Sequence, residues 1–494
     1  LLFGTRHIEY RWPDAPKVSI IIPTRDRGEY LQPLLDSLHE RTRYPNYEVI
    51  IVDNDSRDPD TLRFLAALEH HPDWHDRARV VACPGEFRWS ASANTGAEAA
   101  CGDYLLLLDN DTHVVQDNWL DRLMGIAQRP EVAIVAPRLS YPESGKTQQG
   151  CWFLGMYGTV GNPWDNQLEL ADPGYMGRAL CEQNVQAASG SALLIRRRVL
   201  TQLGGFDTTD FPLYHGALDF CLRATGAGHK IVWTPHATLV HYGGVSMQAR
   251  QRKPEGRLTD QVAVLRASET LLDRWLPRLA RDPAYNRNLS LADAFKPEHV
   301  APIDWDPHFH DRPRILAVPV PGGAGEYRLR APLRLISQAG LAQTMICEQP
   351  KAGMMRILLP TEVARAEPDV LILHQPLDDS QSDAIENYAR HLPRVRRILT
   401  IDDLLTELPR KHPSYKQGYK DGRQRLRKNL SLLHRAVVST RPLADLCAEM
   451  IDDVRIMPNC LEWAVWGDAQ PPRLPRHKPR VGWAGAQQHL GDLE

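Results

Sequence analysis

Residues 104–112 have the sequence Tyr104-Leu105-Leu106-Leu107-Leu108-Asp109-Asn110-Asp111-Thr112, an apolar run followed at once by two carboxylates. An uninterrupted apolar run of this length is typical of a strand buried on both faces, as in a parallel sheet covered by helices. In open α/β sheets, ligands bind beyond the carboxyl ends of such strands. The stretch therefore predicts an α/β fold with a polar site at the edge of its sheet.

Similar apolar runs recur through the N-terminal half, at residues 18–22, 48–52, 78–82 and 192–195. Helical periodicity is present at residues 30–38 and again at residues 218–224. This alternation predicts an α/β domain built on a parallel sheet.

The stretch 138–186 departs from this alternation, because it is rich in Gly, Pro, Gln and aromatic residues and only weakly periodic. Two interpretations of it stay open: an insertion that carries a binding surface, or an unstructured excursion.

Length and charge narrow the functional classes. The 494 residues suggest about three domains at ~150 residues each. The formal net charge of -2, from 59 basic and 61 acidic residues, argues against a nucleic-acid-binding protein. A hydrophobic fraction of 43% is that of an ordinary globular protein, and no apolar run approaches the ~18 residues that span a bilayer.

The chain has twelve tryptophans. Their flat rings could bind the faces of sugars or pack in the core.

The eight cysteines are scattered singly and form no CxxC pair, which predicts reduced thiols and a cytoplasmic protein. Peripheral association with the inner face of the membrane is compatible with this expectation. The chain begins at Leu1 without a signal-peptide pattern and stops after a strand-like stretch, so we expect a fragment of a longer protein.

The expected domains are 1–250, a helical connector at 251–311, and a second α/β domain at 312–494 that is cut short. The connector contains a helical pattern at residues 262–279. Apolar strands at residues 315–318, 370–373, 397–401 and 436–438 indicate the second sheet. A basic, polar segment at residues 411–428 is expected to be a solvated helix or loop.

Carboxylates and one histidine are the candidate ligands of the first domain. Asp109 and Asp111 suit a hard cation such as Mg or Mn; the alternative is a strand-ending turn in which Asp111 or Thr112 caps a helix. Asp53 and Asp55 follow another strand, where a carboxylate can accept hydrogen bonds from a ribose or base or form an Asx-turn. His241 could join the metal ligands or be structural.

Together these motifs resemble family 2 glycosyltransferases of the GT-A fold. The resemblance covers residues 18–246 and rests on motifs that occur in the expected order, at residues 18–27, 52–56, 94–96, 109–111, 204–207, 219–223 and His241.

The resemblance implies a nucleotide-sugar donor (UDP-, GDP- or dTDP-linked), a Mn or Mg cofactor and inversion at the anomeric carbon. Asp109 and Asp111 would be the DxD motif of the family, with His241 as a further metal ligand. The implied donor-binding residues are Pro23, Thr24, Asp53, Asp55, Asn94 and Asp109. Gly205, Phe206 and Asp207 would lie on the acceptor side.

The chain departs from the family at the general base. The family has an acidic pair where this chain has Gly216 and Ala217, and the second residue of that pair would take the proton from the acceptor hydroxyl. Three explanations stay open: Asp219 or Asp210 substitutes as the base, activity has been lost, or Ala217 is an introduced substitution.

The second domain resembles the N-terminal half of family 4-like GT-B glycosyltransferases, on the motifs at residues 367–372, 402–404 and 457–459. Residues 480–485 resemble the first strand of the other half. This implies a Rossmann-like half-domain that lacks its donor site. The Gly-rich stretch 322–325 could bind a phosphate or form a tight turn.

The expected function is therefore metal-dependent sugar transfer to a glycan or lipid-linked glycan in bacterial polysaccharide (O-antigen or capsule) synthesis. The alternatives are transfer to a protein such as flagellin or an adhesin, and a catalytically silent scaffold that binds nucleotides or glycans. The position of Ala217 is the reason for the last alternative.

Overall fold

The protein is described by a computed structural model that covers residues 6–11, 14–243, 254–306, 311–348, 357–375, 378–404, 406 and 421–468. The chain divides into two compact units, Leu1–Phe295 and Lys296–Glu494. The three-part division expected from the sequence stays a prediction. The strand expected at residues 480–485 and most of the segment 411–428 lie outside the described residues.

The first unit is a mixed α/β sheet with helices on its faces. Its strands are β1 (Val18–Thr24), β2 (Tyr47–Asp53), β3 (Ala78–Ala82), β4 (Tyr104–Leu108), β5 (Thr112–Val114), β6 (Val132–Ser140), β7 (Thr147–Gln149), β8 (Phe153–Leu154), β9 (Val160–Gly161), β10 (Gln183–Val185), β11 (Ala192–Arg196) and β12 (Lys230–His241). Its α-helices are α1 (Gly28–Arg41), α2 (Pro59–Ala67), α3 (Trp89–Ala99), α4 (Trp119–Ala127), α5 (Arg197–Gln202), α6 (Gly216–Gly226) and α7 (Pro254–Leu279).

Ten of these strands form one sheet, whose main order is β10-β12-β6-β11-β4-β1-β2-β3, with β5 beside β12 and β7 beside β6. Strands β3, β2, β1 and β4 are parallel, as predicted. The prediction of a parallel sheet is wrong at β11, which runs antiparallel to both β4 and β6. The apolar run at residues 192–195 indicates burial, but burial on both faces does not specify strand direction.

Burial of both sheet faces explains the continuous apolar runs. Side chains alternate across a strand, so Ile20 and Ile22 pack in one core while Ile21 packs in the other. The same division separates Leu106 and Leu108 from Leu105 and Leu107. All of these side chains are at most 2% exposed, which leaves polar groups room only at the strand ends.

A buried ion cluster joins α6 to α7. The carboxylate of Asp219 is fully buried; it accepts hydrogen bonds from Arg223 Nε (2.8 Å), Arg274 Nη1 (2.9 Å) and Trp275 Nε1 (2.9 Å). The guanidinium of Arg274 also pairs with Asp207 at 3.0 Å and with Asp210. We call this set the Arg274 cluster. It attaches the long helix α7 to the sheet domain.

The second unit is a smaller α/β fold. Its strands are β13 (Arg314–Val318), β14 (Gln343–Ile346), β15 (Val370–His374), β16 (Arg396–Ile401), β17 (Arg435–Val438) and β18 (Val454–Ile456). They form a parallel sheet in the order β14-β13-β15-β16-β17-β18. Its helices are α8 (Ala331–Gln338), α9 (Pro360–Ala366), α10 (Asp379–His391), α11 (Gly422–Ser431), α12 (Arg441–Ala448) and α13 (Trp463–Trp466).

The Gly-rich stretch of the second unit turns sharply at Gly322 (φ 81°), and Gly323–Gly325 then begin a helix. A Cβ at Gly325 would lie 1.9 Å from the carbonyl oxygen of Val320, so no larger residue fits there. A π-helical segment, Glu326–Arg330, follows the turn and contains the fully buried Arg328. The guanidinium of Arg328 donates hydrogen bonds to Thr400 Oγ1 at 2.9 Å and to the carbonyl oxygen of Met457. These contacts link the turn to the carboxyl edge of the sheet.

Each of the eight cysteines is a free thiol. Within the described ranges, no helix is both long enough and apolar enough to cross a bilayer.

The Arg274 cluster predicts that its buried and exposed carboxylates contribute unequally to stability. Asp219→Asn leaves two guanidinium groups without their buried counter-charge, a change that typically costs about 3–5 kcal/mol. Asp210→Asn removes a half-exposed partner of the same Arg274, for which about 0–1 kcal/mol is expected. Chemical denaturation, following the unfolding transition of the first unit, measures both losses. Equal losses would contradict a dominant role for the buried contacts.

Candidate active site

A broad cleft of about 2010 Å³ opens at the carboxyl edge of the first unit's sheet. Its lining includes Pro23 and Thr24 at the end of β1, Asp109 and Asp111 beyond β4, and His241 at the end of β12. Residues of the stretch 138–186 also line it: Tyr141, Gln148, Gln149, Trp152, Tyr157, Val160, Gly161, Asn162 and Asp165. That stretch is therefore structured and supplies one wall, which favours the binding-surface interpretation.

Asp109, Asp111 and His241 come together in this cleft. Nε2 of His241 lies 3.0 Å from Oδ1 of Asp111 and 3.5 Å from Oδ2 of Asp109. One potential ligand atom from each residue lies within 4.8 Å of the other two. Two carboxylates and one imidazole are a donor set that suits a divalent cation. The three residues are thus a candidate metal site.

Strand pairing places His241 beside the two carboxylates. The turn after β4 leads into β5, where Thr112 is paired antiparallel with His241. The amide N–H of Tyr242 donates to the carbonyl oxygen of Asp111 at 3.0 Å. The sequence separates these residues by 130 positions, so only the sheet brings them into contact.

Gln148 holds the imidazole of His241 in one orientation. Its Oε1 accepts a 2.6 Å hydrogen bond from Nδ1 of His241, and its Nε2 donates to the carbonyl oxygen of His241 at 3.2 Å. This assigns the proton to Nδ1 and directs Nε2 toward Asp111. Outer partners of this kind fix the tautomer of metal-binding histidines. No sequence pattern singles out Gln148, because it lies in the weakly periodic stretch 138–186.

The electrostatics of the three residues are those of a site that favours positive charge. Burial raises the pKa of Asp109; His241 opposes this rise and Asp111 adds to it. Burial alone would lower the pKa of His241, but the hydrogen bond to Asp111 and the charges of Asp111 and Asp109 outweigh it and raise the pKa. The pair of carboxylates therefore stabilises a cation between them.

The turn expected at residues 109–112 is also present, but it leads into strand β5, so the expectation that Asp111 or Thr112 caps a helix is wrong. Oγ1 of Thr112 donates to the carbonyl oxygen of Asp109 at 2.7 Å, and Nδ2 of Asn110 donates to Oγ1 of Thr24 at 2.9 Å. The two interpretations do not exclude each other, since the turn directs both carboxylates into the cleft.

Asp53 and Asp55 each accept a hydrogen bond from a backbone amide and are outside the described lining of the cleft. Oδ1 of Asp53 accepts from the amide of Ser56 at 3.2 Å, as in an Asx-turn. Oδ2 of Asp55 accepts from the amide of Gly85 at 2.7 Å. These contacts show a structural role for both residues, and their donor-binding role stays a prediction.

Asn94 fastens α3 to the loop that holds the expected acceptor-side residues. Its side chain both donates to the carbonyl oxygen of Phe206 and accepts from the amide of Phe206, each at 2.9 Å. Oδ1 of Asp207 accepts from the amides of Thr209 and Asp210 at 2.9 Å. Within the described lining of the cleft, Asn94, Gly205, Phe206 and Asp207 do not occur.

The candidate bases separate clearly in space. Ala217 lines the cleft, whereas Asp210 and Asp219 belong to the Arg274 cluster and lie outside the described lining. Gly216 also faces the cleft, and a Cβ there would lie 2.4 Å from Oγ of Ser90. A side chain at 216 would therefore require Ser90 to move, and the base position at 217 holds only a methyl group.

Other residues of the cleft gave no sequence signal. Trp89, Trp152 and Tyr214 supply aromatic surface, while Trp119 and Trp233 are among the largest side chains of the core. His215 has a left-handed backbone (φ 63°) at the start of α6, and burial lowers its pKa to about 4. The sequence shows these residues as isolated aromatic or imidazole groups without a motif.

Comparisons with known proteins agree with this geometry. Residues 19–204 match the profile described as Glycosyl transferase family 2. The chain is 33% identical over 299 residues to the uncharacterized protein y4gI of Sinorhizobium fredii, covering 59% of this chain and 31% of that protein. It is 35% identical over 285 residues to the O-antigen biosynthesis protein RfbC of Myxococcus xanthus, covering 58% of this chain and 21% of that protein.

The chain thus spans less than a third of the length of each of these two curated relatives. A solved mannosyltransferase from Pyrobaculum calidifontis, in complex with GDP-Man and Mn²⁺, is similar with a TM-score of 0.35 and 18% identity, over 51% of this chain and 65% of that one. The match to the glycosyltransferase family 2 profile supports a transferase enzyme, and it extends over residues 19–204, which include strands β2 to β11 of the first unit.

Proposed function

We propose that the first unit is a metal-dependent, inverting glycosyltransferase that moves a sugar from a nucleotide-sugar donor to a glycan or lipid-linked glycan. The observation that carries the proposal is the cluster of Asp109, Asp111 and His241 inside the cleft. A transferred sugar leaves behind a nucleoside diphosphate, on which negative charge develops. The reaction therefore needs a site in the cleft that favours positive charge and so stabilises this developing negative charge.

Asp109, Asp111 and His241 would hold Mn or Mg, which when bound offsets the charge of the departing diphosphate. Gln148 keeps Nε2 of His241 directed at the carboxylates. Thr24, whose hydroxyl is linked to Asn110, and the neighbouring Pro23 line the adjoining part of the cleft, where we place the nucleoside. The aromatic rings of Trp89 and Trp152 offer flat surfaces for a sugar face.

The acceptor is proposed from the relatives. RfbC bears the name of an O-antigen biosynthesis protein, which favours bacterial surface polysaccharide as the product over a glycosylated flagellin or adhesin. Such an acceptor would place the enzyme in the cytoplasm, against the inner face of the membrane. A cleft of about 2010 Å³ has room for donor and acceptor together.

A silent binding domain is the second candidate, and a specific observation favours it. Ala217 cannot accept a proton, and the carboxylates of Asp210 and Asp219 are engaged by Arg274 outside the described lining of the cleft. Hydrolysis of a nucleotide sugar that depends on Mn or Mg separates the two candidates. Measurable hydrolysis supports the enzyme, and binding without turnover supports the silent domain.

For the second unit we propose the N-terminal half of a GT-B glycosyltransferase. Its six-stranded parallel sheet supports the proposal, as does the carboxyl edge where Arg328 contacts Thr400 and Met457. The expected phosphate-binding role of the Gly-rich turn is not part of the proposal, because the close approach of Gly325 to Val320 already explains the turn.

Removing one carboxylate of the metal cluster should abolish metal-dependent binding of a nucleoside diphosphate. Asp111→Ala leaves one carboxylate and one imidazole, which cannot surround a cation as three ligands do. Calorimetric titration with UDP, GDP or dTDP, each with and without Mn²⁺, measures the effect. We expect a metal-dependent signal with one of these nucleotides in the parent chain and none in the variant.

The matched control is Asp76→Asn, an exposed carboxylate paired with His75. It should leave the nucleotide affinity unchanged. Equal Mn²⁺-dependent binding by the Asp111→Ala variant and the parent chain would refute the metal assignment.

Restoring a carboxylate at the base position should increase turnover. Because Ala217 faces the cleft, Ala217→Asp places a proton acceptor where the acceptor hydroxyl is expected, and general-base catalysis typically contributes at least about 100-fold. Mn²⁺-dependent hydrolysis of the donor identified by calorimetry measures the gain. Ala217→Asn is the matched control, since it has nearly the same shape but accepts no proton. Equal rates for the two variants would rule out a missing base at 217.

A further inference from the structure

A second group of metal-ligating side chains lies at the opposite end of the sheet order from β3. His7, Glu182 and His236 each place one ligand atom within 4.8 Å of the other two. The imidazole rings of His7 and His236 have centroids 3.7 Å apart and planes inclined by 31°. None of these three residues is in the described lining of the cleft.

Three separate segments build this group. Glu182 directly precedes the edge strand β10, which pairs with β12. His236 lies in β12 where the pairing with β6 shifts register between Thr234 and Thr238. A bulge of this kind redirects a side chain and is frequent beside functional sites.

His7 arrives from the N-terminal segment 6–11. Other contacts of this segment with the domain include the ring of Tyr10, which lies under the guanidinium of Arg129 at 5.3 Å, and Glu9, which lies 4.0 Å from Arg122. A link between His7 and the sheet would add to these contacts and hold the segment in place.

The ligand atoms of the group have few competing partners. The carboxylate of Glu182 accepts one hydrogen bond, a long one of 3.3 Å from Oγ1 of Thr234. Within the described residues, the imidazole nitrogens of His7 and His236 have no hydrogen-bond partner. A cation about 2.1 Å from each ligand atom needs these atoms within about 4 Å of one another, so small side-chain rotations suffice.

The donor atoms select among cations. Arg122 and Arg138 act electrostatically on His236 and oppose any divalent cation, so the bonds to the ligand atoms must hold the metal. Two neutral imidazoles and one carboxylate match Zn²⁺ and similar transition metals, whose bonds to nitrogen are partly covalent.

We propose that His7, Glu182 and His236 form a binding site for a zinc-type transition metal that fastens residues 6–11 to the edge of the sheet. Three protein ligands leave one position for water. This site is separate from Asp109, Asp111 and His241, and it does not depend on the proposed transferase function.

Calorimetric titration with Zn²⁺ tests the site in a full-length Asp109→Ala/Asp111→Ala background, which removes the first cluster. We expect one Zn²⁺ per chain and no detectable Mg²⁺. Adding His236→Ala or His7→Ala should weaken Zn²⁺ binding by more than about 100-fold. This loss exceeds the one expected when a residue that only orients a metal ligand is removed, which reaches about 100-fold. His75→Ala, at an exposed histidine, is the control and should keep the affinity of the background.

Limited proteolysis with trypsin is a second test, and it does not depend on measuring a binding isotherm. Zn²⁺ should slow cleavage after Arg6 and Arg11 in the background chain, and should have no effect when His236→Ala is added. Either of two results would overturn the proposal: Zn²⁺ affinity unchanged by both histidine variants, or cleavage rates that Zn²⁺ does not alter in the background chain.

Discussion

Burial of the central strands on both faces is the constraint on which the first unit depends. Ile21 and Ile22 point to opposite cores, as do Leu107 and Leu108, and each is nearly inaccessible to water. A strand enclosed in this way cannot carry a charged side chain along its length without a large desolvation cost. The first carboxylate after β4 is therefore Asp109, at the point where the strand leaves the core.

The candidate site is assembled by contacts that cross the sheet. Antiparallel pairing of β5 with β12 sets Thr112 opposite His241, and Gln148 then orients the imidazole. The same helix region that presents Ala217 to the cleft directs Asp219 the other way, into the Arg274 cluster. About half a turn of helix α6 thus separates a residue that faces the cleft from a residue that stabilises the fold. Although Asp219 is close in sequence to the position of the expected base, it is outside the described lining of the cleft.

Local patterns predicted the elements well where burial was continuous. The strands expected at 18–22, 48–52, 78–82 and 104–108 are all present, with ends within two residues. The direction of β11 was missed, because an apolar run records burial and not the path of the connecting chain. Asp109, Asp111 and His241 were predicted from their positions after apolar strands and from the family resemblance, and the structure brings them together. Gln148 and the group around His7 had no motif, since each depends on segments that are distant in sequence.

By itself the sequence determined which segments are buried, where polar residues interrupt them, and that residue 217 carries no acid. These are local properties, set by the hydrophobicity and chemistry of neighbouring side chains. Only the tertiary structure decided which polar residues share a site: His241 joins Asp111, Asp219 is neutralised by Arg274, and His7 meets His236 at the sheet edge. Strand register and helix packing determine which of these residues come into contact. Both result from the summed burial of many residues rather than from any one motif.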